Sequence, residues 1–340
     1  MRVSAELLRN LARLSQTDRT VLSAYMDLTQ GWDSVKQFLK KEHKRLLPVL
    51  SPDEKDLFET SLSFLEDYIK ERKSQNYHGP GLAFFADLGA DYMQGVELAV
   101  APDPFIAVDN EAIIHPLALE LDEYEAIGVI MIDASCTRIL IAAGSVLDDM
   151  DALCTKIHHL SKVGGWSQMR YQRRRQKQVQ HFARDVIDKA TDVFDDAGVK
   201  RIVIAGRDRM ITALEAELPK AWQDKVIATV RWDLADKDKA FLTKIRPLLE
   251  QAERDQEKTL LDQLIGEIRR DGLAVAGFDD TMQALERAQV DTLFVNRGMD
   301  KVRCEQLVSR AEATGAYVEF IPANEHITAV GGVGALLRYR

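Results

Sequence analysis

Apolar positions recur in two rhythms along this chain, and the changes of rhythm mark its elements. Leu7, Leu8, Leu11 and Leu14 step by three and four, which predicts an amphipathic helix over residues 4–14. Val21 to Leu28 reads as a strand. Two charged helical stretches come next, from about Trp32 to Leu47 and from about Asp53 to Lys73. Ser51-Pro52-Asp53-Glu54 gives the second its start signal, with proline in the first turn. Gly79-Pro80-Gly81 breaks the chain before two more strands, Leu82–Ala86 and Met93–Leu98, and Pro102 and Pro104 punctuate the stretch beyond them. A first α/β domain is expected over residues 1–115.

The pattern restarts with a buried strand at Ala126–Ile132, a turn at Asp133-Ala134-Ser135 and a returning strand at Arg138–Gly144. Further on, Val179, Phe182, Val186, Ala190 and Val193 form one face of a long helix that Gly198 ends. Between Arg170 and Gln178 that helix carries nothing apolar beyond Tyr171, so its first turns are expected to project from the body. A strand at Arg201–Gly206, a helix from about Arg209 to Leu218 and a strand at Val226–Leu234 complete a second domain, residues 116–245. A polar helix over about Lys239–Arg270 leads into a third, residues 246–340. It has helices at Thr281–Glu286 and Cys304–Thr314, strands at Val290–Val295 and Tyr317–Pro322, and a glycine-rich close. Alternating helices and strands predict an α/β protein of three domains.

Charge changes this picture at one place. The 340 residues carry a formal net charge of −9, yet Ser161–Arg184 holds seven Lys/Arg and no Asp or Glu. Without that segment the remainder stands at −16. One cationic arm on an anionic body points to a local polyanion contact. Lys162, Arg170, Arg173, Arg174, Arg175 and Lys177 are the candidate phosphate contacts, and Trp166 and Tyr171 the candidates for stacking on unpaired bases. Gly164 and Gly165 open the arm, where paired glycines let backbone approach a ligand closely. Each of these has a plainer reading: an arginine run is often a solvated face, a Gly-Gly pair a connection, and Gln168 a helix-start residue.

The other totals exclude more than they suggest. Cys136, Cys154 and Cys304 lie far apart with no CxxC, which favours free thiols in a reducing compartment. The N-terminus lacks the apolar core of a signal peptide, and no apolar run is long enough for a membrane span, so a cytoplasmic location is expected. No cofactor or metal is expected: Cys154, His158, His159 and His181 show no ligand spacing, and Asp133 and Asp208 fall short of a nuclease's carboxylate cluster. Asp133 is expected to cap its turn. Gly331-Gly332-Val333-Gly334 lacks the lysine and spacing of a phosphate loop.

Taken in order, several landmarks resemble the eukaryotic and archaeal class I peptide-chain release factors, a superfamily that includes Pelota-type rescue factors, Vms-type peptidyl-tRNA hydrolases and related bacterial proteins. The resemblance is carried by the Gly128–Gly144 hairpin, by Gly277-Phe278-Asp279-Asp280-Thr281-Met282-Gln283-Ala284-Leu285, by Val290-Asp291-Thr292-Leu293 and by Gly331–Tyr339. It implies a central RNase H-like domain and a C-terminal α/β/α sandwich of release-factor type. In that family a Gly-Gly-Gln loop precedes the basic helix. Here the matching loop is Gly164-Gly165-Trp166-Ser167-Gln168, with two residues between the second glycine and the glutamine.

By resemblance, Gly164, Gly165 and Gln168 are the candidate catalytic residues, orienting water at the ester between peptide and tRNA. The family's Asn-Ile-Lys-Ser and Tyr-x-Cys stop-codon motifs are missing from residues 1–115, so codon decoding is not supported. The expected function is therefore a release or rescue factor hydrolysing peptidyl-tRNA on stalled ribosomes. The alternatives are a non-catalytic Pelota-like or dormancy factor occupying the A site, and a general RNA-binding protein. Implied partners are the ribosome (rRNA and peptidyl-tRNA) and a translational GTPase.

Overall fold

The computed structural model describes residues 3–14, 19–123, 126–143, 146–154, 166–323 and 325–339. By internal packing the chain forms two compact units, Met1–Glu123 together with Leu260–Arg340, and Tyr124–Thr259. Three sheets lie within them.

The first sheet is antiparallel, in the order β3-β2-β1-β4, from β1 (Val21–Asp27), β2 (Gly81–Asp87), β3 (Tyr92–Leu98) and β4 (Phe105–Asp109). Helix α1 (Ala5–Ala12) precedes it, capped by the Ser4 hydroxyl. Helix α2 (Trp32–Leu46), a 3-10 turn at Leu47–Val49 and α3 (Pro52–Ser74) form a hairpin between β1 and β2. At the expected start of α3, Ser51 and Glu54 cap the helix reciprocally. Alternation along β1 divides the sheet's two faces. Leu22, Ala24 and Met26 pack with Leu39, Phe58 and Leu65 of the helical hairpin, while Val21 and Tyr25 face a second core.

That second core is shared with the end of the chain. Leu8 and Leu11 of α1 and Leu117 of α4 (His115–Glu123) meet Leu307, Val308 and Ala311, side chains from the other end of the sequence.

The central sheet runs β7-β6-β5-β8-β9, from β5 (Ile127–Ile132), β6 (Cys136–Ala143), β7 (Val146–Cys154), β8 (Arg201–Gly206) and β9 (Val226–Arg231). β5, β6 and β7 pair antiparallel, and β5, β8 and β9 pair parallel, the RNase H-like arrangement the resemblance implied. Helix α5 (Trp166–Asp196) covers one face with α6 (Asp208–Glu215) and α7 (Lys220–Gln223). Phe241 and Ile245 of α8 (Asp238–Arg269) cover the other.

The third sheet, β10-β13-β11-β12, is built from β10 (Ala274–Ala276), β11 (Val290–Asn296), β12 (Tyr317–Ile321) and β13 (Val333–Leu337). Leu293 and Val295 face α9 (Phe278–Glu286) and α10 (Lys301–Thr314). Phe294 faces Leu264 of α8 and Ile327 of α11 (Glu325–Ala329). It is the α/β/α sandwich expected.

The structure corrects the reading of the cysteines. β7 brings Cys154 opposite Cys136, their Cα atoms 4.1 Å apart, and the two form a disulfide. Only Cys304 is free among the three, buried, its thiol pushed up to about 12 by burial and by the Glu305 and Asp300 carboxylates. The sequence separation of 18 closes a loop whose constraint on the unfolded chain amounts to about 3 kcal/mol. Cys136→Ser is therefore expected to lower the urea midpoint of the oxidised protein. Adding dithiothreitol should shift the wild type to the variant's midpoint and leave the variant where it is.

Candidate nucleic-acid interface

Helix α5 is two helices in chemical character. From Val179 onward it buries Phe182, Ala183, Val186, Ile187, Ala190 and Phe194 against Ile130, Ile139, Ile202 and Ile204 of the sheet. Phe194 also stacks on Trp222, with ring centroids 5.5 Å apart. This half anchors the helix. The preceding turns have no apolar stripe to bury. Arg173, Arg174, Gln176 and Lys177 are exposed there, and Arg175 and Gln178 half-buried.

Charge pairing separates the two halves as well. Further along α5, Arg184 donates to Glu217 at 2.7 Å, and Lys189 meets Asp151 at 2.5 Å. Elsewhere in the unit Arg138 is held between Asp149 and Asp238, at 2.6 and 2.8 Å, and its hydrogen bonds hold the Asp238 carboxyl below the usual carboxylate range. Arg207 pairs with Asp233 at 2.9 Å. Arg173, Arg174, Arg175 and Lys177 make no ion pair among the described residues, and Arg175 Nε and Gln178 Oε1 lack hydrogen-bond partners there. Four cations on adjacent turns with no acid to neutralise them repel one another and attract phosphate. Among the described residues, the Arg173, Arg174 and Lys177 side chains are exposed and without a neighbouring carboxylate.

The helix starts earlier than expected. Trp166, Ser167 and Gln168 belong to its first turn, not to a loop, because nothing in Trp-Ser-Gln-Met-Arg breaks a helix. Gln168, Arg170 and Tyr171 thus follow one another around the start of α5. Lys162, Gly164 and Gly165 lie outside the described residues.

The remaining candidates have structural duties. Asp133 Oδ1 accepts from the N–H groups of Ser135 and Cys136, capping the hairpin turn. Asp208 opens α6 and lies 3.8 Å from Arg231. Cys154 is taken by its disulfide, and His158 and His159 fall outside the described residues. Strand β7 went unforeseen, and with it the Lys189–Asp151 anchor beneath α5. Val146–Cys154 carries three aspartates and no regular alternation to mark it as a strand, and it proves to be a sheet edge, where charges discourage further pairing.

Two release-factor family models together cover residues 113–340, and over that span the chain belongs to the archaeo-eukaryotic release-factor superfamily. Residues 113–257 match the model described as bacterial archaeo-eukaryotic release factor family 10, and residues 255–340 match eRF1 domain 3. Peptide chain release factor subunit 1 of Pyrococcus abyssi is 22% identical over 405 aligned positions, covering 98% of this chain and 96% of that protein. Its counterpart in Aeropyrum pernix is 22% identical, with 99% and 94% covered. Among solved structures, the archaeal termination factor aRF1 is 20% identical over 98% of this chain and 97% of its own, with a TM-score of 0.32. A model of ribosome-bound archaeal Pelota and ABCE1 is 13% identical over 100% and 95%, with a TM-score of 0.48.

Proposed function

We propose that this chain is a ribosome-binding release or rescue factor that docks the start of α5 on ribosomal RNA and presents the Gly164-Gly165 segment to the peptidyl-tRNA ester. The observation carrying this reading is the cationic run Arg173–Lys177, which makes no ion pair among the described residues and lies on a helix whose other half is buried. Membership of the release-factor superfamily supports the ribosome as the source of the RNA. In the hydrolytic step, backbone N–H groups of the glycine pair and the Gln168 amide would hold water in line with the carbonyl and stabilise the developing oxyanion. The C-terminal sandwich, matched to eRF1 domain 3, is the proposed seat of a translational GTPase.

The helical placement of Gln168 favours a second reading, in which the factor occupies the A site without hydrolysis. Peptide release from ribosome-bound peptidyl-tRNA separates the two. Hydrolysis predicts release that Gly165→Ala and Gln168→Ala abolish while co-sedimentation persists. Occupancy alone predicts co-sedimentation with no release by any form. In both, Arg173→Glu/Arg174→Glu should cut ribosome binding at least tenfold and lower the log–log salt slope by roughly 1.4–1.8, two phosphate contacts' worth. An unchanged slope would remove the arm from the interface.

A further inference from the structure

The solvent face of α2 carries a second unpaired cationic array. Lys36, Lys40 and Lys44 recur every four residues, Lys41 lies beside them, and all four are exposed. On the opposite side Val35, Leu39 and Leu46 are buried in the first sheet's core. None of the four lysines makes a hydrogen bond or ion pair among the described residues, whereas their neighbours on the same helix do. Arg45 binds the buried Glu42 at 2.6 Å, and His43 meets Glu59 of α3 at 2.7 Å. On α3 the exposed Lys70 sits on Asp67 at 2.9 Å, and the half-buried Arg72 on Glu97 at 2.8 Å.

Stability does not account for the array. Like charges four residues apart weaken a helix, and both the Lys36–Lys40 and Lys40–Lys44 pairs have that spacing. The helix dipole favours Lys44, in the last turn, but its effect does not extend to Lys36 or Lys40. The acids of α2 are Asp33, in the first turn, and Glu42, already occupied by Arg45. Four self-repelling cations on a chain of net charge −9 are complementary to a polyanion.

We propose that the lysine face of α2 is a docking surface for the phosphate backbone of RNA, separate from the α5 arm. Lys36, Lys40 and Lys44 are spaced about 6 Å apart along the axis, so one side of the helix meets successive phosphates as a row of mobile point charges. Trp32 and Phe38 are half-buried and the exposed positions between the lysines offer no ring for stacking, so the contact reads charge and not sequence. The proposal rests on the reading of the chain as an RNA-binding translation factor, and adds a contact in its first domain.

The test uses the full chain and two probes, a fluorescein-labelled poly(U) oligonucleotide and purified ribosomes, titrated between about 50 and 200 mM salt. A Lys36→Gln/Lys40→Gln/Lys41→Gln/Lys44→Gln variant should bind at least tenfold more weakly, with the log–log salt slope reduced by about 3. The quadruple Lys→Arg variant should bind as the wild type does. Thermal melting of the glutamine variant should match or exceed the wild type, since the like-charge repulsion is gone. Should it melt lower, the paired Lys36→Gln/Lys40→Gln variant carries the test, with about half the change in slope. Arg173→Gln/Arg174→Gln is measured alongside. Loss in the lysine variant alone supports the α2 surface and sinks the α5 arm. Loss in the arginine variant alone, or an unchanged slope in the lysine variant, overturns the α2 surface whatever becomes of the arm.

Discussion

Gly206→Ala lowers the stability of the central unit by about 3 kcal/mol or more, measured as a fall in the urea midpoint with little change in slope. Gly206 ends β8, in register with Ile132 of β5, and its carbonyl accepts from Trp232 N at 2.9 Å. A methyl group at this position would point into the backbone carbonyl of Ile132, far inside van der Waals contact. The carbonyl belongs to the strand pairing and cannot swing aside, so relief requires the parallel ladder to part. Gly128→Ala is the control. Its added carbon would meet the Phe194 ring at 2.6–2.9 Å, and a ring can tilt, so the cost should be smaller, about 1–3 kcal/mol. Equal costs for the two would show that the backbone contact is not what sets the Gly206 result.

Glu305→Ala is expected to cost about 2–4 kcal/mol in the other unit. The Glu305 carboxylate, from the first turns of α10, accepts the N–H of Ile114 at 2.8 Å, the N–H of His115 at 2.9 Å, and lies 2.6 Å from His115 Nδ1. It caps the start of α4 from the far end of the chain. The adjacent residue is fixed as well: Ile113 donates to Ser23 Oγ at 2.9 Å and accepts from the Tyr25 hydroxyl at 2.8 Å. Tyr25 is completely buried, and desolvation, aided by the Glu305 and Glu120 carboxylates, raises its pKa well above the ordinary phenol value. Removing Glu305 strands two backbone donors in a partly buried site. Glu305→Gln keeps one carbonyl oxygen and should recover part of the loss. A glutamine variant as unstable as the alanine would assign the effect to charge and not to capping.

The elements that could be read from sequence are those whose local pattern and tertiary role agree. The α3 start, the Ile127–Ile132 strand and the anchored half of α5 each repeat one periodicity and bury the face it defines. The missed elements depend on partners. β7 carries three aspartates and forms because β6 offers an edge, with a bulge between Ile139 and Leu140 absorbing the misfit. β4 is a five-residue strand behind two prolines, and α4 has only nine residues and takes its cap from Glu305. The disulfide was hidden for the same reason: without β7, nothing places Cys154 opposite Cys136. At the candidate site the charge signal needed no fold to be seen. Where the loop ends and the helix begins was not legible, since Gly-Gly-Trp-Ser-Gln is compatible with either.

The shared core of the first unit has a consequence for synthesis. Val21, Tyr25, Phe85 and Val96 line the sheet face that Leu307, Val308 and Ala311 help to cover, and those side chains are translated long after the face they protect. The α2–α3 hairpin can seal one side of the nascent sheet at once. The other side stays greasy until the last segment clears the exit tunnel, by which time the middle of the protein has had every opportunity to fold. Chains interrupted before the final strand are thus left with an open apolar surface for chaperones or proteases to recognise, and a premature stop late in the message is as damaging to the beginning of the protein as to its end.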